Sequence, residues 1–562
     1  MLFYDFEVFK HDWLVVIYDI ENQKKHVIIN NQNELIEFYN KNKENIWIGY
    51  NSKGYDQWIL KGIICGFNPY DISKHIIEDH LPGYRFSSLL NKVNIITFDI
   101  MLKLTGLKQL EAFMGHNIKE SDVNFMIDRK LTQAEIDETV LYCTHDVEET
   151  IEVFIQNKQE FESQLALVKT FNLPLNYLAK SKAQLSSIIL NANRVHGRDD
   201  EFDLIIPKTL RLNKYKCVID WYMNSENRDY KKSLDITIQN CPHKFAWGGL
   251  HGAIEKYFGS GYFINLDVAS FYPAIMIEYD FLSRNVKDPL KYKEIRDTRM
   301  ILKKKKDPKQ APYKIVLNST YGAMKDKYNN MYDPRQANNV CVTGQLLLLD
   351  LIEKLEPHVQ IIQSNTDGVL VKLKKIDDFD LVDDICYEWE ERTHMKLEFD
   401  NITEVFQKDV NNYMVVMDDG KVKSKGSYVK KLNDLDYDLP IINKSIKNYL
   451  LNKVYPKDTI NNCNKLREFQ KVVKLTSKYK CAKHNGITLN EKTFRVFASK
   501  NENDGILFKC KENKNPEKFA NTPDKCFIEN SDITNAECPN KLDKTWYIEL
   551  ARKRLEDFGV DL

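Results

Sequence analysis

The chain has 562 residues, 81 Lys+Arg balanced by 81 Asp+Glu, 43% hydrophobic and 11% aromatic content. At roughly 150 residues per domain this is length for about three to four domains, enough to bury cores without disulfide or metal staples. The 29% charged fraction, 21 Gly and 16 Pro exclude a disordered, collagenous or low-complexity chain. No apolar run approaches the ~20 residues of a membrane helix, and the start, MLFYDFEVFKHDW, lacks the pattern of a signal peptide. Eleven cysteines without a CxxC pair read as reduced thiols. The expectation is a soluble intracellular multidomain protein.

The elements follow in chain order. Residues 2–8, 14–18, 27–30 and 46–50 read as strands, and 56–64 and 131–157 as helices, the second opening on a Thr132/Glu135 capping box. A polar, helix-rich stretch, 158–240, leads to a strand at 262–268, an α+β region to about 430, an Asn/Lys-rich remainder and a closing helix at 544–558. Charge is uneven along this order. Residues 1–150 carry 15 Lys+Arg and 23 Asp+Glu, whereas 291–306 holds eight basic residues against two acids and 465–500 ten against two. An acidic front with basic patches behind suits a protein that holds a polyanion near bound metal, although a charge run alone is equally a solvated helix face.

Asp5 and Glu7 flank Phe6 in an apolar strand, so period-2 alternation puts both carboxylates on one face. Buried like charges are costly unless a cation lies between them. Asn51-Ser-Lys-Gly-Tyr55-Asp56 follows a strand and opens a helix, and Tyr142 and Asp146 stand one turn apart on the long helix. In this order the three segments resemble the D-x-E, N-x-x-x-[FY]-D and Y-x-x-x-D motifs of the proofreading 3′–5′ exonuclease domain of DNA polymerases. The resemblance implies that Asp5, Glu7, Asp56 and Asp146 hold two Mg²⁺ or Mn²⁺ ions, that Tyr142 orients the attacking water, and that Asn51 and Tyr55 hold the DNA 3′ end. His145, directly before Asp146, reads as a surface or packing residue.

A second set lies downstream. Asp267 ends a strand before Ser270-Phe-Tyr272-Pro273, where the proline reads as a stop. Lys314, Asn318 and Tyr321 share one helix stripe, Arg299 and Lys303 a second with Arg296 one turn before, and a turn at Asp307-Pro308 would let the two stripes clamp a triphosphate. Asp367 sits at a hairpin tip. Each has a plain reading as cap, surface residue or turn. Together they resemble motifs A, B and C of family B DNA polymerases, D-x-x-S-[LF]-Y-P, K-x-x-x-N-S-x-Y-G and D-T-D. That resemblance implies an α/β and α+β multidomain fold, an RNase H-like exonuclease domain followed by a right-hand polymerase domain. Its parts would be 1–160 exonuclease, 161–260 connecting region, 261–283 palm, 284–330 short fingers, 331–431 palm and 432–562 thumb.

By the same resemblance Asp267 and Asp367 hold two catalytic Mg²⁺ or Mn²⁺ ions, and Arg299, Lys303, Lys314 and the amides after Asp267 bind the triphosphate. Asn318 orders that helix face, Tyr272 excludes a 2′-OH, and Tyr321 borders the nascent base pair. Departures are Asn365 for the first acid of D-T-D and Ser364 before it. Phe245-Ala-Trp247-Gly248-Gly249 stands for Y-x-G-G, from which Trp247, Gly248 and Gly249 are carried over as template contacts. Asn411-Asn-Tyr413 lacks the lysine of K-x-Y, leaving Lys423 and Lys425 as primer-strand contacts. The 47 residues from Asp267 to Lys314 and 53 from Lys314 to Asp367 leave no room for the insertions of protein-primed relatives. A minimal, phage-type replicative polymerase is expected, a monomer in the host cytoplasm without membrane attachment. It would act on primed DNA with dNTPs and use a helicase, single-strand-binding protein or clamp. The alternatives are a protein that mainly trims 3′ ends and a non-catalytic nucleic-acid-binding scaffold.

Overall fold

The computed structural model describes every residue except Leu104 and Asn513. It is a mixed α/β chain in two compact units: Met1–Lys180 with Leu432–Ser445 and Tyr455–Leu550, and Ser181–Lys431 with Ile446–Val454 and Ala551–Leu562. Among the described residues no helix is long and apolar enough to cross a membrane.

The first unit is built on a five-stranded sheet of β1 (Leu2–Val8), β2 (Trp13–Asp19), β3 (Lys24–Ile29), β4 (Trp47–Gly49) and β5 (Thr97–Asp99), ordered β3-β2-β1-β4-β5. The first three strands form an antiparallel meander, and β4 and β5 add in parallel. β1 is buried along its length, as expected of an inner strand covered on both faces. Three helices matter for the site: α1 (Asp56–Ile64), α2 (Leu107–Met114) and α3 (Gln133–Gln156). The Thr132/Glu135 capping box opens α3, with both reciprocal hydrogen bonds made. Trp47, Ile59, Leu60 and Ile72 lie in the core of this sheet.

The second unit carries a nine-stranded antiparallel sheet. Its strands are β6 (Ser233–Ile238), β7 (Cys241–Ala246), β8 (Gly249–Ala253), β9 (Tyr257–Val268), β10 (Gln360–Ser364), β11 (Gly368–Lys372), β12 (Leu397–Asp409), β13 (Asn412–Met417) and β14 (Val422–Lys425). The order is β14-β13-β12-β9-β11-β10-β8-β7-β6. Four of its helices matter for the site: α4 (Phe271–Glu278), α5 (Pro289–Lys304), α6 (Gln310–Lys325) and α7 (Pro334–Leu355).

Two expectations are corrected here. The stretch 158–240 is not helical to its end, because β6 lies inside it and forms a hairpin with β7, whose side chains alternate between buried and exposed, and β7 a second hairpin with β8. Pro273 does not stop the chain. It lies in the first turn of α4, where no intrahelical amide donor is required.

Candidate functional site

Each unit gathers one group of carboxylates. In the first, Asp5 and Glu7 project from one face of β1, and the Asp56 carboxylate at the head of α1 accepts a hydrogen bond from the Phe6 amide between them (3.1 Å). On α3, Cys143 donates to the Asp5 carbonyl oxygen (3.4 Å), which brings Tyr142 and Asp146 to the same place. Asp5, Glu7 and Cys143 offer ligand atoms within 4.8 Å of one another. The carboxyls titrate high. Asp5 and Glu7 stand well above the usual range, first because they are buried and then because the neighbouring acids repel their charge. Burial pushes Asp56 up to about 7 and Asp146 up to about 6. The Tyr142 phenol is raised by burial and by these carboxylates, so it remains a donor.

Sequence reasoning missed three participants. Lys108 on α2 reaches Asp146 Oδ1 (2.5 Å) and Glu111 Oε1 (3.0 Å) and lies 4.7 Å above the Tyr142 ring. Its only sequence signal is a Lys-x-x-Glu spacing, ordinary on any helix. Glu111 is fully buried, and His145, expected at the surface or in packing, faces it at 3.6 Å with its imidazole pKa raised by that carboxylate. Asp99, at the end of β5, accepts from the amides of Asn51 (3.0 Å), Lys53 (2.9 Å) and Met101 (2.9 Å). It thereby fixes the turn in which Asn51 takes a left-handed φ of 58°. Tyr55 hydrogen-bonds Ser73 at 2.8 Å while packing on the core of the sheet.

With Glu111, five carboxyl groups share one ammonium, so their ionised forms would place surplus negative charge largely out of water. Hard oxygen donors so placed fit a divalent cation such as Mg²⁺ or Mn²⁺.

In the second unit Asp267, near the end of β9, is paired in register with Gly368 of β11, and Asp367 stands exposed in the loop just before. A methyl on Gly368 would lie 2.1 Å from Asp267 Oδ1, so glycine is needed for the carboxylate to rest against the hairpin. Burial, then the Asp367 charge, pushes Asp267 up to about 6. One cavity of about 540 Å³ is lined by Asp267, Asp367, Tyr272, Tyr321, Arg299, Lys303, Lys314 and Asn318. These residues come from two strand ends and three helices, and the expected set converges on them.

Missed contributors line the same cavity. Ser270 accepts from Arg299 Nη1 (2.5 Å) and Gln310 from its Nε (3.4 Å), which holds the guanidinium, while Glu398 of β12 is ion-paired with Lys303. The paired carboxylates fit a divalent ion by the same chemistry of hard donors.

Other expectations are corrected. Of the amides after Asp267, those of Val268, the last residue of β9, and Ala269 are taken by the carbonyls of Asp367 and Lys396 (2.7 Å each). Arg296 is drawn instead to Glu278 (3.7 Å) and Asp297 (2.9 Å). Trp247 is buried, its indole donating to the Asn227 carbonyl (2.9 Å), so the hairpin turn exposes backbone rather than the ring. Trp247 and Gly248 form that turn, and Gly249 opens β8. Gly249 has φ +151°, and a methyl there would come 3.3 Å from Thr366 Oγ1, beside Asp367. Lys423 and Lys425 sit on the edge strand β14 and do not line the cavity; Lys423 pairs with Asp400 at 2.6 Å, and Lys425 lies 5.9 Å from the Tyr413 ring centre. Asn365 is held in the hairpin through its amide to the Gly368 carbonyl (2.8 Å) and is likewise outside the lining.

No protein-family model matches the chain. Three proteins named DNA polymerase 1 do. That of Saccharolobus solfataricus is 25% identical over 303 residues, 45% of this chain and 33% of that protein. That of Sulfolobus acidocaldarius is 26% identical over 227 residues, 39% and 24%, and that of Aeropyrum pernix 25% over 280 residues, 42% and 28%. The match spans a third or less of the length of each relative. Among solved structures, the family B DNA polymerase from Pyrobaculum calidifontis aligns with 99% of this chain and 77% of its own at 14% identity, with a TM-score of 0.44. In sequence the chain is similar, over less than half of its length, to these archaeal proteins named DNA polymerase 1.

Proposed function

We propose that the protein is a DNA-dependent DNA polymerase that adds dNTPs to a primer 3′-OH and proofreads with a separate 3′–5′ exonuclease site. The observation that carries the reading is the cavity in which Asp267 and Asp367 face three cationic side chains and two tyrosines, with Glu398 paired to Lys303. Arg299, Lys303 and Lys314 would take the triphosphate, with Arg299 already braced by Ser270 and Gln310. Tyr272 would underlie the sugar and exclude a 2′-OH, Tyr321 would border the base pair, and Asn318 would order the same face. Asp267 and Asp367 would hold the divalent ions, which lower the pKa of an attacking hydroxyl and offset charge on the leaving group. Gly248, Gly249, Lys423 and Lys425 would meet DNA backbone.

In the first unit Asp5, Glu7, Asp56 and Asp146 would hold the ions for trimming. Tyr142, kept protonated by its surroundings, would orient the water, and Asn51 and Tyr55 would hold the 3′ end. The domain names given above, the monomeric state, host cytoplasm and phage origin belong to this proposal. The phage reading rests on the compact motif spacing, whereas the named relatives are archaeal.

The test is extension of a 5′-labelled primer in Mg²⁺ or Mn²⁺, with and without dNTPs. Extension lost in Asp367→Ala, and dNTP-free shortening lost in Asp5→Ala/Glu7→Ala, is the expected pair of results. Shortening without extension would overturn the polymerase reading in favour of a 3′-trimming enzyme, which Asn365 at the position of the first motif C acid favours as the second reading. Neither activity would leave a non-catalytic scaffold.

A further inference from the structure

Helix α7 is buried along almost all of its 22 residues, and none of them lines the cavity. In its middle stands Gly344, a residue less favourable there than alanine and not required by a left-handed φ. What glycine permits is the approach of α4. A methyl at 344 would lie 3.3 Å from each of three atoms: Ile275 Cδ1, Phe271 Cε1 and Tyr272 Cε1. One turn earlier the Cys341 thiol donates to the Trp247 carbonyl (3.7 Å) and accepts from Gln345 Nε2 (3.4 Å). It also lies beside the hydroxyls of Tyr272 and Tyr321, whose ring centres are 4.6 Å apart. The Tyr321 hydroxyl is buried without a hydrogen-bond partner. Both tyrosines face the cavity, so α7 supplies the surface behind them: an empty site at 344 and a small thiol at 341.

We propose that Cys341 and Gly344 are positioning residues that set how far Tyr272 stands into the cavity, and thereby how strongly deoxyribonucleoside triphosphates are preferred over ribonucleoside triphosphates. The proposal rests on the reading of this cavity as the nucleotide site. Interiors are close-packed, so a few tenths of an ångström at the back of a ring are transmitted to its front edge. The two positions act in opposite directions. A methyl at 344 pushes Tyr272 toward the nucleotide, whereas removal of the thiol lets the tyrosines settle back.

The experiment is single-nucleotide extension opposite template T by the full chain carrying Asp5→Ala/Glu7→Ala, with kcat and KM measured for dATP and for ATP. Gly344→Ala is expected to raise the dATP:ATP ratio of kcat/KM about fivefold, through KM for ATP, and Cys341→Ala to lower it about fivefold. Cys341→Ser, of nearly equal size, is expected to restore the ratio. Equal losses for both nucleotides, or a ratio moved in the same direction by both alanines, would overturn the proposal while leaving the nucleotide site standing. If Gly344→Ala fails to fold by circular dichroism, the Cys341→Ala and Cys341→Ser pair decides alone. Absence of any dATP incorporation by the chain with α7 unaltered would bring down the nucleotide-site reading, and the proposal with it.

Discussion

At the scale of single residues, charge placement governs the first site. Lys108 offsets Asp146 and Glu111, both largely out of water. Removing one member of such a pair leaves an uncompensated charge, which costs about 3 kcal/mol for well-buried groups. Lys108→Met is therefore expected to lower stability by about that amount in urea unfolding without metal. A change under about 0.5 kcal/mol would show that the pair is already screened by water. The same carboxyls set a pH dependence. Asp56 rises from 3.8 to about 7 and Asp146 from 3.8 to about 6 on folding, so the folded chain retains protons that the unfolded chain releases. Stability without metal is then expected to fall as pH rises from about 4 to about 7 through these two groups, and the strongly raised Asp5 and Glu7 carry the fall further above that window. Calorimetry in EDTA checks this: Tm should be lower at pH 8 than at pH 5, and Mg²⁺ should recover more of it at pH 8. A slope that Asp56→Asn/Asp146→Asn leaves unchanged would assign the effect to other groups. The strand period placed Asp5 with Glu7 and the helix period placed Tyr142 with Asp146, whereas the grouping of these with Asp56 was legible only through the resemblance to the exonuclease motifs. Lys108, Glu111 and Asp99 were not, because they come from elements whose only claim on the site is tertiary packing.

At the scale of elements, the β10–β11 hairpin shows how a plain turn becomes specific. Asp367-Gly368 alone is read as a turn signal, and the hairpin is indeed there. What sequence could not reveal is that Gly368 faces Asp267 across the β9–β11 ladder, where an added methyl would come within 2.1 Å of the carboxylate. Gly368→Ala is expected to displace Asp267 and reduce primer extension about a hundredfold, since a shift of about 1 Å at a reacting group costs that much. Shortening without dNTPs should be unchanged. Loss of both activities together would point to unfolding instead. The alternating segment 233–253 was readable as strands by its period of two, and its helical neighbours 182–189 and 217–223 masked it. The α5–α6 pair was recovered from sequence because its cationic stripes repeat at helical spacing. Glu398 was not, since it arrives on β12 almost a hundred residues later.

At the scale of the whole molecule, the units cut across chain order. Segment 455–550 groups with residues 1–180, although composition alone set it apart as a basic, Asn-rich tail. The join is built from backbone and buried side chains. Arg467 and Gln470 both donate to the Phe113 carbonyl, Ile118 donates to the Asn530 carbonyl and Ile533 to that of Gly115. Arg495, fully buried, gives Nη2 to the carbonyls of His116, Asn530 (3.0 Å) and Ser531 (2.9 Å). All of these grip the end of α2 and the turn after it, and α2 carries Lys108 and Glu111. The C-terminal segment is thus part of the support of the first carboxylate group. Arg495→Met keeps most of the side-chain bulk but takes a donor from three part-buried carbonyls, of which that of Asn530 keeps the Ile118 amide, at a cost of about 1 kcal/mol. The expected outcome is faster hydrogen exchange in 107–118 and loss of dNTP-free shortening, with primer extension retained at temperatures below the lowered transition. Exchange that stays slow in 107–118, together with intact shortening, would mean that α2 is held by its own sheet and that the distant segment contributes nothing to the site.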